Sequence, residues 1–423
     1  MSWLRMGLCA LLAFSVLAFG AVDVWSASIL EMGAAALFLL WAVVVLRDSG
    51  RTIRWSPLNW PLLGFLGIGV LQMVFHETAY AFATRTEALK LASYFLVFFL
   101  AAQAFRTRED YSKLAWFVIT LCFGVSLFAI VQHFTSEREI YWLSQFKSEV
   151  EPFGPYVNRN HFAGFVELTL PAGLVLMVFR GVRREVVPLM CVLTIVPLSA
   201  IVLAGSRGGI IGVILEIGIL VVLVRSRRAL WGGRVAAAAT VAVAALAVIA
   251  WVGADQAIER FSALSSQKEV SVERRISMSR GAARIFFDHL IQGSGLGTLA
   301  AVYPRYETAY DGKVVDHVHN DYIEALADTG ILGGVCGLMF LGLFYREARN
   351  AFAAEQGRFS RGLHAGAVVA ASGLLLHSFV DFNLHIPANA LLFLLQAGVA
   401  TSPPLAPGAS RRRRLMVDGG MEE

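Results

Sequence analysis

The chain has 423 residues, of which 57% are hydrophobic and 16% charged, with a mean hydropathy of +0.63. Soluble domains carry about 25% charged residues, so these proportions exclude a water-soluble globular protein and imply an all-α polytopic membrane protein. The net charge of +5 is modest, and no nucleic-acid partner is expected. Cys9, Cys122, Cys191 and Cys336 all lie in apolar runs. They show no CxxC or Cys/His spacing, so neither a disulfide framework nor a zinc site is indicated.

A membrane-crossing helix needs roughly 17–25 mainly apolar residues. Such segments fall near 4–22, 28–46, 60–76, 87–105, 114–134, 162–179, 187–204, 209–224, 235–252, 331–345, 363–380 and 385–401. About twelve transmembrane helices are therefore expected. Arg5 ahead of the first apolar run resembles a secretion signal, but another span follows almost at once, and the segment reads as an uncleaved first helix. The organisation expected is membrane helices 1–9 over 1–252, one large loop over 253–330, helices 10–12 over 331–402 and a basic tail over 403–423.

The connections set the orientation. Alternate loops carry Arg47, Arg51 and Arg54; Arg106, Arg108 and Lys113; Arg180, Arg183 and Arg184; Arg225, Arg227, Arg228 and Arg234; and Arg346, Arg349, Arg358 and Arg361. Arg5 and the run Arg411 to Arg414 fall on the same side. Intervening short loops hold almost nothing positive beyond Arg85 and Arg207. Basic residues in short loops mark the cytoplasm, so both termini are expected to be cytoplasmic and the long loop to face outward. A second outward loop, 135–161, ends in Tyr156, Asn158, Arg159, Asn160 and His161.

Polar chemistry concentrates around the long loop. Its end reads Asp316-His317-Val318-His319-Asn320-Asp321-Tyr322-Ile323-Glu324, where a helix is expected to begin with Asp316 as its N-cap. His319 has His317, Asp321, Tyr322 and Glu324 within six residues. A neutral imidazole in such a cluster can take a proton from an attacking hydroxyl. An ordinary hydrogen-bonded histidine at a membrane interface is the plainer alternative. His317 and His319 would face one way only in a strand, and no third ligand stands out, so no metal is expected.

Arg207 lies in Gly205-Ser206-Arg207-Gly208-Gly209 between two spans. It either snorkels to water or presents its planar fork to two phosphate oxygens of a lipid headgroup. Arg275, Arg280 and Arg284 follow upstream of His319. Each alone reads as a solvated charge, but the cluster beside a headgroup plane suits anion binding. His377 to Pro387 forms a tight outward hairpin whose polar residues read as caps and turns. Glu31, Glu167 and Glu216 lie in or near spans, with nothing in the sequence to pair them.

These motifs resemble the O-antigen ligase and polymerase superfamily of bacterial envelope glycan enzymes. The resemblance covers about 155–390. Its most specific part is His319-Asn320 followed, after nine residues, by Gly330-x-x-Gly333. Asn158-Arg159-Asn160-His161-Phe162-Ala163-Gly164, Ser206-Arg207-Gly208-Gly209 and Gly293-Ser294-Gly295-Leu296-Gly297 are similar to further family blocks. The resemblance implies about twelve helices and one large periplasmic loop in the bacterial inner membrane. It implies transfer of a glycan from undecaprenyl diphosphate to an acceptor hydroxyl, on lipid A core (ligase) or on another lipid-linked glycan (polymerase), without cofactor or obligatory metal. It implies that His319 activates the acceptor while Arg207 and a loop arginine hold the diphosphate. Arg275 is preferred because it lies thirteen residues before Asp288-His289, although Ser279 stands where members often carry an aromatic residue. Asn320, Asp321, Tyr322, Glu324, Asn160, His161 and His317 are the supporting residues. A transporter of an anion or lipid is the alternative from another class; it would place paired charges and broken helices at mid-membrane.

Overall fold

In the computed structural model the described residues are 1–48, 50–136, 139–145, 151–225, 272–308, 312 and 314–404. Helices dominate, joined by one two-residue antiparallel ribbon, Glu139–Ile140 with Ser144–Gln145. In chain order they are α1 (Ser2–Leu17), α2 (Val24–Arg47), α3 (Asn59–Val74), α4 (Ala81–Ala104), α5 (Arg108–Thr135), α6 (Arg159–Val178), α7 (Val187–Ala204) and α8 (Arg207–Arg225). There follow α9 (Val272–Asp288), α10 (Leu299–Val302), α11 (Asp321–Ala354), α12 (Arg358–His377) and α13 (Pro387–Ala400). Seven candidate membrane spans are long and apolar enough to cross a membrane among the described residues, and three shorter helices are apolar. The chain is an all-α polytopic membrane protein. Eleven of the twelve expected segments fall on helices; 235–252 lies outside the described residues, as do Arg227, Arg228, Arg234 and the tail run Arg411 to Arg414.

The helix ends follow from local chemistry. Thr107 and Asp110 exchange side chain and backbone in a capping box that starts α5, satisfying amide groups that a helix leaves unpaired. Asn158 caps α6. Ser206 Oγ accepts from the amide of Gly209 at 3.2 Å at the start of α8. Between α7 and α8 the chain turns through Gly205 in the left-handed region, at φ 67°.

Helix α6 is the axis of the bundle. Nearly all of its residues are buried, and α12, α7, α8, α5 and α13 pack around it. The two ends of the bundle differ. At one end Arg5 pairs with Asp110, while Arg106 donates to Thr52 O at 2.8 Å and to Gln103 O at 3.0 Å. The other end gathers the starts of α6, α8, α11 and α13 and the end of α12. It also carries α9, held over α11 by a small second core of Met278, Ala282, Ile285, Leu299, Tyr303, Val318 and Ala327.

The segment before the tenth expected span corrects the sequence reading. Helix α11 starts at Asp321, ten residues before 331, and its N-cap is Asn320, whose side-chain oxygen accepts from the amides of Tyr322 and Ile323, both at 3.1 Å. Asp316 lies upstream of the cap. Asx residues suit the position equally well, so composition alone did not select the register. The helix breaks at Gly330, which has φ 62° and ψ −158°. There the amides of Ile331 and Leu332 turn to the carbonyls of Leu290 and Ile291, at 2.9 and 3.2 Å. A Cβ on Gly330 would lie 2.4 Å from Ile291 O, and one on Gly293 2.2 Å from the Asp328 carbonyl carbon. Only glycine tolerates both the dihedrals and the approach.

Candidate functional site

His319 sits at this polar end with its backbone in the left-handed region, φ 53°, an uncommon state for a residue with a side chain. Neighbouring contacts hold it there. Asn320 Nδ2 donates to Phe379 O at 3.0 Å, and the Asp321 amide donates to Ser378 O at 3.0 Å. The start of α11 is thus stapled to the turn that follows α12. Across this seam His319 Nδ1 lies 3.2 Å from Asp381 Oδ1. Its ring also meets Phe382 edge-on, with centroids 4.9 Å apart.

Asp381 is 1% exposed, and the Phe382 amide donates to its Oδ1 at 2.9 Å. Burial alone would raise its pKa. The hydrogen bond from His319, with the electrostatic influence of the neighbouring His161, His319 and His377, overcomes burial and holds the carboxyl well below the usual carboxylate range. Its second oxygen faces His377 Nε2 at 4.0 Å.

Behind Asp381 the polar chain runs inward. His377 Nδ1 lies 2.8 Å from Glu167 Oε1 on α6, and both side chains are essentially inaccessible. Two glycines of α8 make room for this pair. A Cβ on Gly208 would come within 2.3 Å of His377 Nε2, and one on Gly212 within 2.2 Å of Glu167 Oε2. Asn383, Asn389 and Tyr156 extend the network: Asn389 Nδ2 donates to Asn383 Oδ1 at 3.0 Å, and Tyr156 OH donates to Asn389 Oδ1 at 3.1 Å. Glu216, one helical turn beyond Gly212, packs against Gly373. The reading of His377 to Pro387 as a capping hairpin therefore missed its part in the site, and Glu167 does have a partner. The signal was present in His377 and Asp381 as polar groups at a span end and in Glu167 as an acid within a span, but the pairing of Glu167 with His377 joins residues 210 positions apart.

The arginines separate. Arg275 reaches from α9 to the same turn, its Nη1 donating to Val380 O at 2.9 Å, one residue from Asp381. Arg280 and Arg284 are exposed along α9. Arg207 opens α8, exposed, immediately before the glycine that packs on His377.

The remaining supporting residues divide. His161 is buried in the first turn of α6 with its ring edge-on to Phe382 at 4.7 Å, while Asn160 in the same turn donates its amide to Asn158 Oδ1. Tyr322 OH donates to Leu375 O at 2.6 Å, and its ring lies 4.4 Å from Phe379, a packing position between α11 and α12. His317 and His319 both pack against Phe382, with centroids 4.4 and 4.9 Å away, but engage different carboxylates, Glu324 and Asp381. His317 Nδ1 lies 2.6 Å from Glu324 Oε1, while Val318 between them is buried in the second core. Glu324 Oε1 also lies 3.3 Å from His385 Nε2, and His385 Nδ1 lies 2.8 Å from Asp321 Oδ1. His385 thus stands between two carboxylates.

The fold and the site together define a polytopic membrane protein with an imidazole–carboxylate pair and arginines at one end of the bundle, a constellation suited to proton transfer beside an anionic group. Residues 189–338 match the family model described as O-antigen ligase, which supports the resemblance to the O-antigen ligase superfamily. That family implies a glycosyltransferase-like membrane enzyme acting on lipid-linked glycans. The match includes Arg207, Arg275 and His319, while His377, Asp381 and Glu167 lie outside it. No curated protein matches the chain.

Proposed function

We propose that the protein transfers a glycan from undecaprenyl diphosphate to an acceptor hydroxyl at the outer (periplasmic) face of the bacterial inner membrane, with both termini cytoplasmic. The observation that carries this reading is the His319–Asp381 pair with Arg275 on the adjoining carbonyl. The family match and the apolar bundle support a lipid-linked donor.

In this reading Asp381 engages His319 Nδ1, which leaves Nε2 to receive the acceptor proton. The acceptor oxygen forms its bond to the anomeric carbon as the bond from that carbon to the diphosphate oxygen breaks. The electron pair leaves with undecaprenyl diphosphate, whose charge Arg275 and Arg207 neutralise. Direct displacement inverts the anomeric centre. Asp381 balances the imidazolium that forms, in the manner of a carboxylate behind a catalytic histidine. A diphosphate is already a good leaving group, so this chemistry requires neither a carboxylate pair flanking the bond nor a metal.

Transfer is tested in membranes with undecaprenyl-diphosphate oligosaccharide, offered with lipid A core and, separately, with no added acceptor. The ligase-like reading expects product on lipid A core only. Lengthened lipid-linked glycan without added acceptor assigns the polymerase reaction instead, and no product in either arm overturns the transferase.

A further inference from the structure

Beside the His319–Asp381 pair lies a second cluster, formed by three segments that meet at the start of α11. One ligand atom from each of His317, Glu324 and His385 lies within 4.8 Å of the other two. Glu324 is 2% exposed, whereas the His317 and His385 side chains keep 31% and 21% of their surface. The cluster is therefore anchored inside yet open to entry from outside.

We propose that His317, Glu324 and His385 bind one divalent cation of the zinc class, with Asp321 orienting His385 from behind. Two imidazole nitrogens and one carboxylate oxygen form a donor set that zinc accepts, leaving a fourth position for water. Magnesium and calcium prefer all-oxygen shells. Metal–ligand bonds of about 2.1 Å at tetrahedral angles put ligand atoms about 3.4 Å apart. The His385–Glu324 separation of 3.3 Å already meets this, and the 2.6 Å His317–Glu324 contact needs to open by less than about 1 Å.

The surroundings are those of a prepared site. Asp321 Oδ1 lies 2.8 Å from His385 Nδ1, so Nε2 is the ring nitrogen that faces Glu324, the placement that a carboxylate–histidine–metal arrangement requires. The Val318 amide donates to Glu324 Oε2 at 3.0 Å, leaving Oε1 for the two histidines. The His317 ring stacks on Phe382, with centroids 4.4 Å apart and planes at 20°. Asp321 and Glu324 are nearly buried carboxylates that flank His385, and buried negative charge calls for compensating positive charge. A cation here would tie α11 to the His317 segment and to the turn before α13, bracing His319 between them. It would differ from the pair adjacent in sequence, because His319 is engaged by Asp381.

The proposal does not rest on glycan transfer. The full-length protein, purified in detergent and stripped with chelator, is titrated with Co(II). One equivalent taken up, with the intense visible bands of four-coordinate Co(II) and displaced by Zn(II), is expected. His317→Gln and His385→Gln should each weaken uptake more than about tenfold, and Asp321→Asn by about 10–100-fold, while His319→Gln keeps wild-type affinity. The wild-type titration decides alone if a variant fails to fold. No uptake, a purely six-coordinate spectrum, or undiminished uptake in both His317→Gln and His385→Gln overturns the site.

Discussion

His377 and Glu167, 2.8 Å apart and essentially inaccessible, join the end of α12 to the central helix α6 directly behind Asp381. A buried pair broken by removing one partner typically costs about 3–5 kcal/mol, because the other polar group stays buried alone. Glu167→Ala is expected to fall in that range. Glu167→Gln retains an acceptor for His377 Nδ1 and should cost less than about 1.5 kcal/mol. Thermal unfolding of the detergent-purified variants measures the difference, and equal losses would remove the pairing as the cause.

The close approach of Gly208 gives a finer probe. An added methyl group would lie 2.3 Å from His377 Nε2, forcing the ring away from Asp381. Gly208→Ala should lower transfer by about tenfold or more, since small misplacements at a reacting centre are costly. Gly218 is on the same helix, and a methyl group added there would meet nothing within 4 Å, so Gly218→Ala should leave transfer unchanged. Equal behaviour of the two would mean that the His377 contact does not matter.

Asp381 makes a prediction in pH. Its folded pKa is depressed, by the His319 hydrogen bond and the electrostatic influence of the surrounding histidines acting against burial. A depressed carboxyl contributes stability above its unfolded pKa of about 3.9 and loses it as pH falls through the lower folded value. The stability difference between wild type and Asp381→Asn should therefore persist from neutral pH to about 4 and shrink only below it. A difference that has vanished by about pH 5 would show that Asp381 titrates as an ordinary carboxyl.

Among the loop arginines the contact to Val380 O singles out Arg275. Arg275→Ala should lower transfer by about 10²–10³, the usual cost of losing one donor to a developing anion. Arg280→Ala and Arg284→Ala, on the exposed side of α9, should stay within about twofold, as surface changes generally do. Product formation at matched expression separates the three.

Much of this was legible in the sequence, for physical reasons. Spans are read from runs of apolar residues, a property of consecutive positions, and eleven of the twelve landed on helices. His319 stood out because its polar neighbours are adjacent in the chain. Asp381, His377 and Glu167 did not, because their association depends on how α6, α8 and α12 pack, and a polar residue at a span end has the same local signature whether it caps a helix or backs a histidine. His385 was invisible as a companion of His317 and Glu324 for the same reason. The start of α11 was displaced because Asp316 and Asn320 are both acceptable caps, and only the contact of Asn320 with Phe379 O selects the second.

The central claim is that His319, backed by Asp381, takes the acceptor proton. The most direct measurement compares wild type, His319→Ala and Asp381→Asn, at matched expression, for transfer from undecaprenyl-diphosphate oligosaccharide in membranes. The account expects both variants to lose about 10²–10⁴ in rate, the usual contribution of a positioned general base, with the protein still folded. Wild-type rates in His319→Ala would contradict it.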